Sequence, residues 1–161
     1  MAEIKVLALD LDGTLTNSQK EVTPRTRAAL DAAIAKGVTI VLASGRPTAG
    51  VLPLAKELGL DALVEAHDEY EVDRALNLGA EIVGVNNRDL RTFQVDMNNS
   101  IRFRKMAPDD VVFVSESGIR TPDDIRLLYE NQVDAVLIGE TLMRSPDKKA
   151  ALESLNGSPL K

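Results

Sequence analysis

Six short runs of Val, Ile and Leu alternate with amphipathic stretches along the chain, and this alternation restricts the fold more than any other feature. Strands and helices in such alternation are typical of repeated βα units that build a parallel sheet. The predicted strands are residues 6–12, 38–44, 62–67, 81–87, 111–117 and 135–140. The sequence therefore predicts an α/β fold of about six successive βα units with an all-parallel sheet.

The length of the chain limits how such a sheet can close. A closed eight-stranded barrel takes at least about 200 residues, and this chain has 161. We expect a TIM-barrel-like sheet that is incomplete or rolled, with its raw edges covered by self-association into a homo-oligomer. The alternative is a doubly wound open parallel sheet.

Local signals mark where helices begin and end. Thr23-Pro24 and Thr121-Pro122 each place a capping hydroxyl before a proline that suits the first helical position. Gly37 follows the apolar periodic stretch after Thr23, and Gly59 follows a second such stretch, as expected of helix ends. These signals support helices between the predicted strands.

The composition argues against several classes of partner and site. A net charge of −6 disfavours a nucleic-acid or anionic-membrane partner. With no Cys, the chain has neither disulfides nor thiolate metal sites. No apolar run approaches the roughly 20 residues that cross a bilayer. We expect a soluble product that is cytoplasmic or, if recombinant, has no natural location.

The most specific motif is LALDLDGTL, which places Asp10 and Asp12 at the end of the first predicted strand. With EVTPRTRAALDAAIAKGVTIVLASGRPTAGVLPLAKELGL, it makes residues 1–60 resemble the amino-terminal part of haloacid-dehalogenase-like hydrolases of the Cof type. The resemblance implies that Asp10 attacks phosphorus, that Asp12 is the general acid and base, and that Ser44 binds phosphate. Mg²⁺ is the candidate cofactor, with Asp10 and Asp12 as its ligands.

That chemistry needs groups that we do not find in the sequence. Members of the hydrolase family add a Lys from a third motif and a further Asp pair after a fourth strand. Asp109-Asp110 precedes a predicted strand and Asp123-Asp124 opens a predicted helix, and we expect both to lie in non-catalytic turns of the parallel sheet. We therefore expect Asp10 and Asp12 to be an inherited, inactive pair.

From about residue 60 the sequence changes character. The segments DALVEAHDEYEVDRALNLGAEIVGVNNRDLRTFQVDMNNS, VVFVSESGIRTPDD and DAVLIGETLMRSPD make residues 60–158 resemble the carboxyl-terminal half-barrel of indole-3-glycerol-phosphate synthase. The resemblance implies a general base, four substrate-positioning residues and a backbone phosphate cradle. These are, in that order, Glu65; Asn86, Arg88, Glu116 and Ser117; and Gly118, Gly139 and Glu140.

The synthase's catalytic lysines belong to the first half of its barrel, and the residues in their place here are Asp10, Asp12 and Ser44. Ring closure is therefore expected to be lost. His67, the single histidine, is expected to stabilise the end of its strand.

The two resemblances predict one domain over residues 1–161, joined between about 52 and 62. Its parts are a hydrolase-like βαβα segment (1–60), a (βα)₄ half-barrel (61–158) and a tail (159–161). We expect an engineered fragment chimera, a test of folding, with no complete active site, no required cofactor and weak binding of phosphate or sulfate. The alternatives are a residual Mg²⁺-dependent phosphatase using Asp10 and Asp12, and a synthase-like lyase, which the missing lysines disfavour.

Overall fold

A computed structural model describes residues 4–44 and 48–157. Strands and helices alternate, and a second helix follows the last strand. The elements are β1 (Val6–Leu9), α1 (Pro24–Ile34), β2 (Thr39–Ser44), α2 (Thr48–Leu58), β3 (Asp61–Ala66), α3 (Glu69–Asn77), β4 (Ile82–Asn86), α4 (Asn98–Arg104), β5 (Val112–Glu116), α5 (Pro122–Glu130), β6 (Ala135–Leu137), α6 (Glu140–Arg144) and α7 (Lys148–Leu155). The predicted tail (159–161) and residues 45–47 of the LASGRP motif lie outside the described residues.

The six strands form one parallel sheet in the order β1-β2-β3-β4-β5-β6. The predicted parallel sheet of six βα units is thus confirmed, and it curls as an incomplete TIM-barrel-like half-barrel. The alternative of a doubly wound sheet is wrong, because that fold reverses its strand order at a switch point. Among the described residues, β1 and β6 each pair with one neighbour only, so both strands are edges of an unclosed sheet.

Two strands, β1 and β6, end three residues earlier than the sequence suggested. β1 ends at Leu9 rather than at residue 12, because the chain turns there: the N–H of Leu15 donates to the carbonyl of Asp10, and that of Thr16 to the carbonyl of Leu11. β6 ends at Leu137 rather than at residue 140. Asp10, Asp12, Gly139 and Glu140 consequently lie in the turns and helix starts that follow the strands.

The predicted helix caps are confirmed. The Thr23 side chain accepts a hydrogen bond from the Thr26 N–H at the start of α1. At α5, the Thr121 side chain accepts from the Asp124 N–H while the Asp124 side chain accepts from the Thr121 N–H, a capping box. Each pair satisfies N–H groups that the first helical turn leaves free.

The helices cover one face of the sheet, the outer face, because right-handed crossovers between sequential parallel strands place them on the same side. Val83 and Val85 of β4 and Phe113 of β5 are fully buried there, in a cluster with Val72 of α3 and Leu128 of α5. Side chains alternate between the two faces of a strand, so the residues between these point to the inner face.

A second apolar cluster covers the first two strands, where Ile40 and Leu42 of β2 pack with Leu30 of α1. The two clusters meet at β3, which contributes Ala62 to one and Val64 to the other. Partly buried Leu52 packs against both clusters, so the two parts of the chain share a continuous core. The predicted domain division stays a prediction.

None of the helices in the described stretches is long and apolar enough to span a membrane.

Apolar inner-face side chains are exposed at both edges of the sheet. Val6 on β1 is 59% exposed and Leu137 on β6 is 41% exposed. The Thr39 N–H donates to the Lys5 carbonyl at 2.8 Å, so β1 turns the backbone groups of its odd-numbered residues towards β2. The backbone groups of Val6 and Ala8 therefore face outwards, where a further strand would pair with them.

The predicted self-association stays untested, and we propose that it involves this edge. Ala8→Pro removes an outward N–H but no β1–β2 hydrogen bond, so we expect it to lower the mass that light scattering measures after size-exclusion chromatography. Ala8→Val keeps the N–H and should behave as the parent chain. Equal masses for both variants at one protein concentration would contradict edge pairing through β1.

Candidate functional site

The inner face of the sheet carries a polar cluster at the carboxyl ends of β3, β4 and β5. Glu65 and Gly84 are register partners, as are Asn86 and Glu116, so these residues share one face. The Asn86 side-chain amide donates to Glu65 Oε1 at 2.8 Å. The structure thus brings together three of the residues that the resemblance singles out, and their roles stay predictions.

Glu116 is the most deeply buried carboxyl group of this cluster, only 6% exposed. Its Oε1 has no hydrogen-bond partner in the described structure and lies over Gly84, where an added Cβ would approach it to 2.0 Å. A side chain at position 84 would therefore displace Glu116. Burial, with repulsion from Glu65, raises the pKa of Glu116 to about 7, and the charge of nearby His67 opposes that rise.

His67 lies at the rim of the cluster, between two carboxylates. Its Nδ1 is 3.1 Å from Glu71 Oε2 and its Nε2 is 3.2 Å from Glu65 Oε1. The Nε2 contact has the distance of an ion pair but not the alignment of a hydrogen bond. The His67 N–H also donates to Glu71 Oε2 at 2.8 Å. His67 therefore joins the end of β3 to the first turn of α3, and its predicted stabilising role stays a prediction.

A cavity of about 580 Å³ opens beside this cluster, between the ends of β3 and β4 and the chain that follows each. Asn86, Arg88 and Phe103 are among the residues that line it. The guanidinium of Arg102 stacks over the Phe103 ring at 4.6 Å from the ring centre. The cavity therefore combines a cationic and an aromatic wall.

A smaller cavity of about 200 Å³ lies at the ends of β5 and β6. The backbone of Ser117 and Gly118 turns there with φ values of +66° and +85°. Gly118 is required twice over, since L side chains rarely adopt such a φ and an added Cβ would lie 2.4 Å from Val95 Cγ1. Arg88 and Arg120 line the same cavity, which we call the Ser117–Gly118 cavity.

Gly139 and Glu140, the other members of the predicted cradle, also line this cavity. Gly139 is the N-cap of the short α6, and Glu140 is its first residue. An Arg88 guanidinium nitrogen donates to Glu140 Oε2 at 2.6 Å. This hydrogen bond, followed by the charges of Arg144 and Arg88, lowers the pKa of Glu140.

A buried polar network behind this cavity was not foreseen from the sequence. Asn87 is 1% exposed and accepts a hydrogen bond from the Ser100 hydroxyl at 2.8 Å. Its amide donates to the Ser115 hydroxyl at 2.9 Å and to the Ser117 carbonyl at 3.1 Å. The alternation of Val83, Val85 and Asn87 was the available signal, because it places Asn87 on the outer face.

The hydrolase-like residues follow β1 and end β2. The Leu11 N–H donates to Asp10 Oδ1 at 2.7 Å, so this carboxylate bonds to the backbone of its own turn. Asp12 forms an ion pair with Lys20, a cation that sequence reasoning missed. The turn-forming pattern around Asn17, whose side chain accepts from two backbone N–H groups, was the available signal.

Ser44 is buried and shares the outer face with Ile40 and Leu42. Within residues 4–44 and 48–157, no group of three or more His, Asp or Glu side chains is arranged to hold a metal ion. The predicted roles of Ser44 in phosphate binding, and of Asp10 and Asp12 in Mg²⁺ binding, stay predictions.

A family model described as indole-3-glycerol phosphate synthase matches residues 38–155. The chain belongs to the indole-3-glycerol phosphate synthase family. The synthase of Ruminiclostridium cellulolyticum is 59% identical over 107 residues, which are 66% of this chain and 41% of that relative. The chain thus spans less than half the length of this synthase.

Two solved structures extend the comparison. Thiamine phosphate pyrophosphorylase from Pyrococcus furiosus overlaps 95% of this chain and 81% of its own, with a TM-score of 0.62 at 14% identity, a likeness of fold alone. A haloacid dehalogenase-like hydrolase from Bacteroides thetaiotaomicron is 53% identical over 36% of this chain and 22% of its own, with a TM-score of 0.35. The predicted resemblance to indole-3-glycerol-phosphate synthase is confirmed.

The synthase match begins at residue 38, ahead of the predicted junction between 52 and 62. It therefore includes β2 and α2, a strand and a helix that lie in the segment predicted to be hydrolase-like. All the predicted synthase-like site residues lie within the matched range. They are Glu65, Asn86, Arg88, Glu116, Ser117, Gly118, Gly139 and Glu140.

The raised pKa of Glu116 predicts how stability depends on pH. Folding favours the protonated Glu116 carboxyl group. Its contribution to the free energy of unfolding is therefore fully present below pH 4.5 and is lost as the pH rises through about 7. The loss amounts to up to roughly 3 kcal/mol. Glu116→Gln should lack this loss, which urea unfolding of both proteins at about pH 5 and about pH 8 would measure. If the free energies of unfolding of the two proteins differ by the same amount at both pH values, the raised pKa is contradicted.

Proposed function

We propose that this chain is a fragment chimera, engineered by joining a hydrolase-like segment to a synthase half-barrel, that completes neither active site and binds phosphate weakly. The observation that carries the phosphate binding is the Ser117–Gly118 cavity, in which left-handed backbone meets Arg88 and Arg120. Backbone N–H groups in such turns, together with guanidinium groups, are typical anion ligands. The cavity lies within the range that matches the synthase family.

The motif LALDLDGTL supports the chimeric origin, because it lies ahead of the synthase match and suits another chemistry. The sheet supports it as well, since β1 and β2 continue the parallel order of the half-barrel without interruption. The two apolar clusters meet at β3, next to the predicted junction. We propose that the purpose of the joined chain is structural, a test of whether βα pieces from two families fold together.

The missing lysines support the absence of synthase chemistry. Ring closure needs a general acid, and the resemblance assigns that role to lysines of the first half-barrel. Among the described residues, those lining the two cavities at this edge include Arg88, Arg102 and Arg120 but no Lys. An arginine is a poor proton donor because it stays protonated at all ordinary pH values. We therefore expect Glu65 to have no acid partner for ring closure.

Phosphate binding predicts shifts in specific amide signals. Titration with inorganic phosphate, at constant ionic strength maintained with chloride, should move the backbone resonances of Gly118, Gly139 and Glu140. Arg120→Ala should weaken the effect, whereas Arg126→Ala, which removes a guanidinium paired with Asp123 on α5, should not. Unchanged signals at all three positions would contradict phosphate binding.

A second candidate function is phosphate-ester hydrolysis with Mg²⁺, favoured by Asp10 and Asp12 in the turn after β1 and by the ion pair between Lys20 and Asp12. The proposal of an inactive pair predicts no hydrolysis of p-nitrophenyl phosphate above the rate of an Asp10→Asn variant, with Mg²⁺ present. Release of p-nitrophenol measures the rate. Mg²⁺-dependent turnover that Asp10→Asn abolishes would replace this proposal by the enzyme hypothesis.

A further inference from the structure

The carboxylate of Glu140 bridges two arginines beside the Ser117–Gly118 cavity. Its Oε2 accepts from an Arg88 guanidinium nitrogen at 2.6 Å, and its Oε1 lies 3.0 Å from Arg144 Nε. Arg88 follows β4, whereas Arg144 lies in α6. One carboxylate thus joins two cations that the fold brings together from distant parts of the chain.

A third guanidinium belongs to the same group. Arg120 lines the cavity with Arg88 and Glu140, and its charge contributes to the lowered pKa of Glu140. Arg88 and Arg144 therefore contact this single carboxylate, and Arg120 lies in the wall of the cavity beside it. A carboxylate and a phosphate present similar oxygen pairs to a guanidinium fork, so one set of arginines binds either group.

We propose that Arg88, Arg120 and Arg144 form a site for a phosphate monoester, which Glu140 occupies with its own carboxylate when no ligand is bound. This inference deepens the proposed phosphate binding and rests on it. The cavity of about 200 Å³ suits a compact anion rather than a large ligand. Arg120 and Arg144 thereby join the site as side-chain ligands, beside the backbone cradle.

Glu140 has room to leave. Its side chain is 47% exposed, whereas that of Arg88 is 26% exposed, so the carboxylate swings towards solvent while the guanidinium stays at the cavity wall. An entering phosphate then takes over the charge-assisted hydrogen bonds that Glu140 releases. Phosphate binding in the parent chain is weak because each binding event breaks these contacts first.

Removing the competing charge should tighten binding. Glu140→Gln keeps the size of the side chain but weakens its hold on the arginines, so we expect the dissociation constant for inorganic phosphate to fall about tenfold. Glu153→Gln is the matched control: it removes the same charge from an exposed α7 side chain that lies 3.8 Å from Lys149. Amide shifts during phosphate titration give the dissociation constants.

A second variant tests whether Arg144 contributes to phosphate binding. Arg144→Gln in the Glu140→Gln background should lose most of the gain, because it removes one of the freed cations. The circular dichroism of each variant reports whether the fold is kept, and the Glu116 region should show unchanged amide signals.

The outcomes separate this inference from the proposed function. Tighter phosphate binding by Glu140→Gln, while Glu153→Gln binds like the parent chain, supports the competition. It does so even if the parent chain shows no measurable binding. Binding by the parent that Glu140→Gln leaves unchanged overturns the competition while the proposed function stands. Failure of every variant to bind phosphate overturns both.

Discussion

The register of the parallel sheet is the constraint on which the rest of the structure depends. Because Glu65 lies opposite Gly84, and Asn86 opposite Glu116, a shift of one residue between these strands would send the polar cluster to the helix-covered face. The buried positions Val83, Val85 and Phe113 oppose such a shift, since they would lose their contacts with the helices. The apolar core thus fixes the geometry of the inner face.

The same constraint explains how the proposed hydrolase-like and synthase-like segments can share one sheet. A strand fits into a parallel sheet if it has the right direction, spacing and alternation of buried side chains. β2 fulfils these conditions with Ile40 and Leu42 on the face covered by helices. β3 contributes to both apolar clusters, so neither segment has to complete a core by itself. We therefore propose that the junction between the segments relies on general features of βα units rather than on contacts particular to either family.

Much of this fold follows from local sequence signals. Six apolar runs give the strands, and Thr121-Pro122 gives a helix start because a capping box involves only neighbouring residues. The ends of β1 and β6 were harder to predict from the sequence. Hydrogen bonds in the turn after Leu9, rather than the types of the side chains, end β1. Hydrophobic residues continue past both ends, so periodicity alone overestimates these strands.

The site was predictable as a set of residues but not as a set of contacts. Resemblance pointed to Arg88 and Glu140, yet their ion pair spans 52 positions and depends on how the ends of β4 and β6 approach each other. Lys20 beside Asp12 has the same character, because a turn with its own hydrogen bonds directs it there. The sequence specifies the chemistry of each side chain, whereas the folded structure decides which charged side chains lie close enough to form ion pairs.

The unpaired edges at β1 and β6 have a consequence for any chemistry on the inner face. Val6 and Leu137 are exposed there, so water reaches the sheet from the side on which the half-barrel is open. Charges near bulk water act in a medium of high dielectric constant, where an ion pair at 4 Å is worth about 1 kcal/mol rather than several times more. A charged side chain placed at either edge would therefore interact only weakly with its partners, unlike Glu116, which is buried on β5.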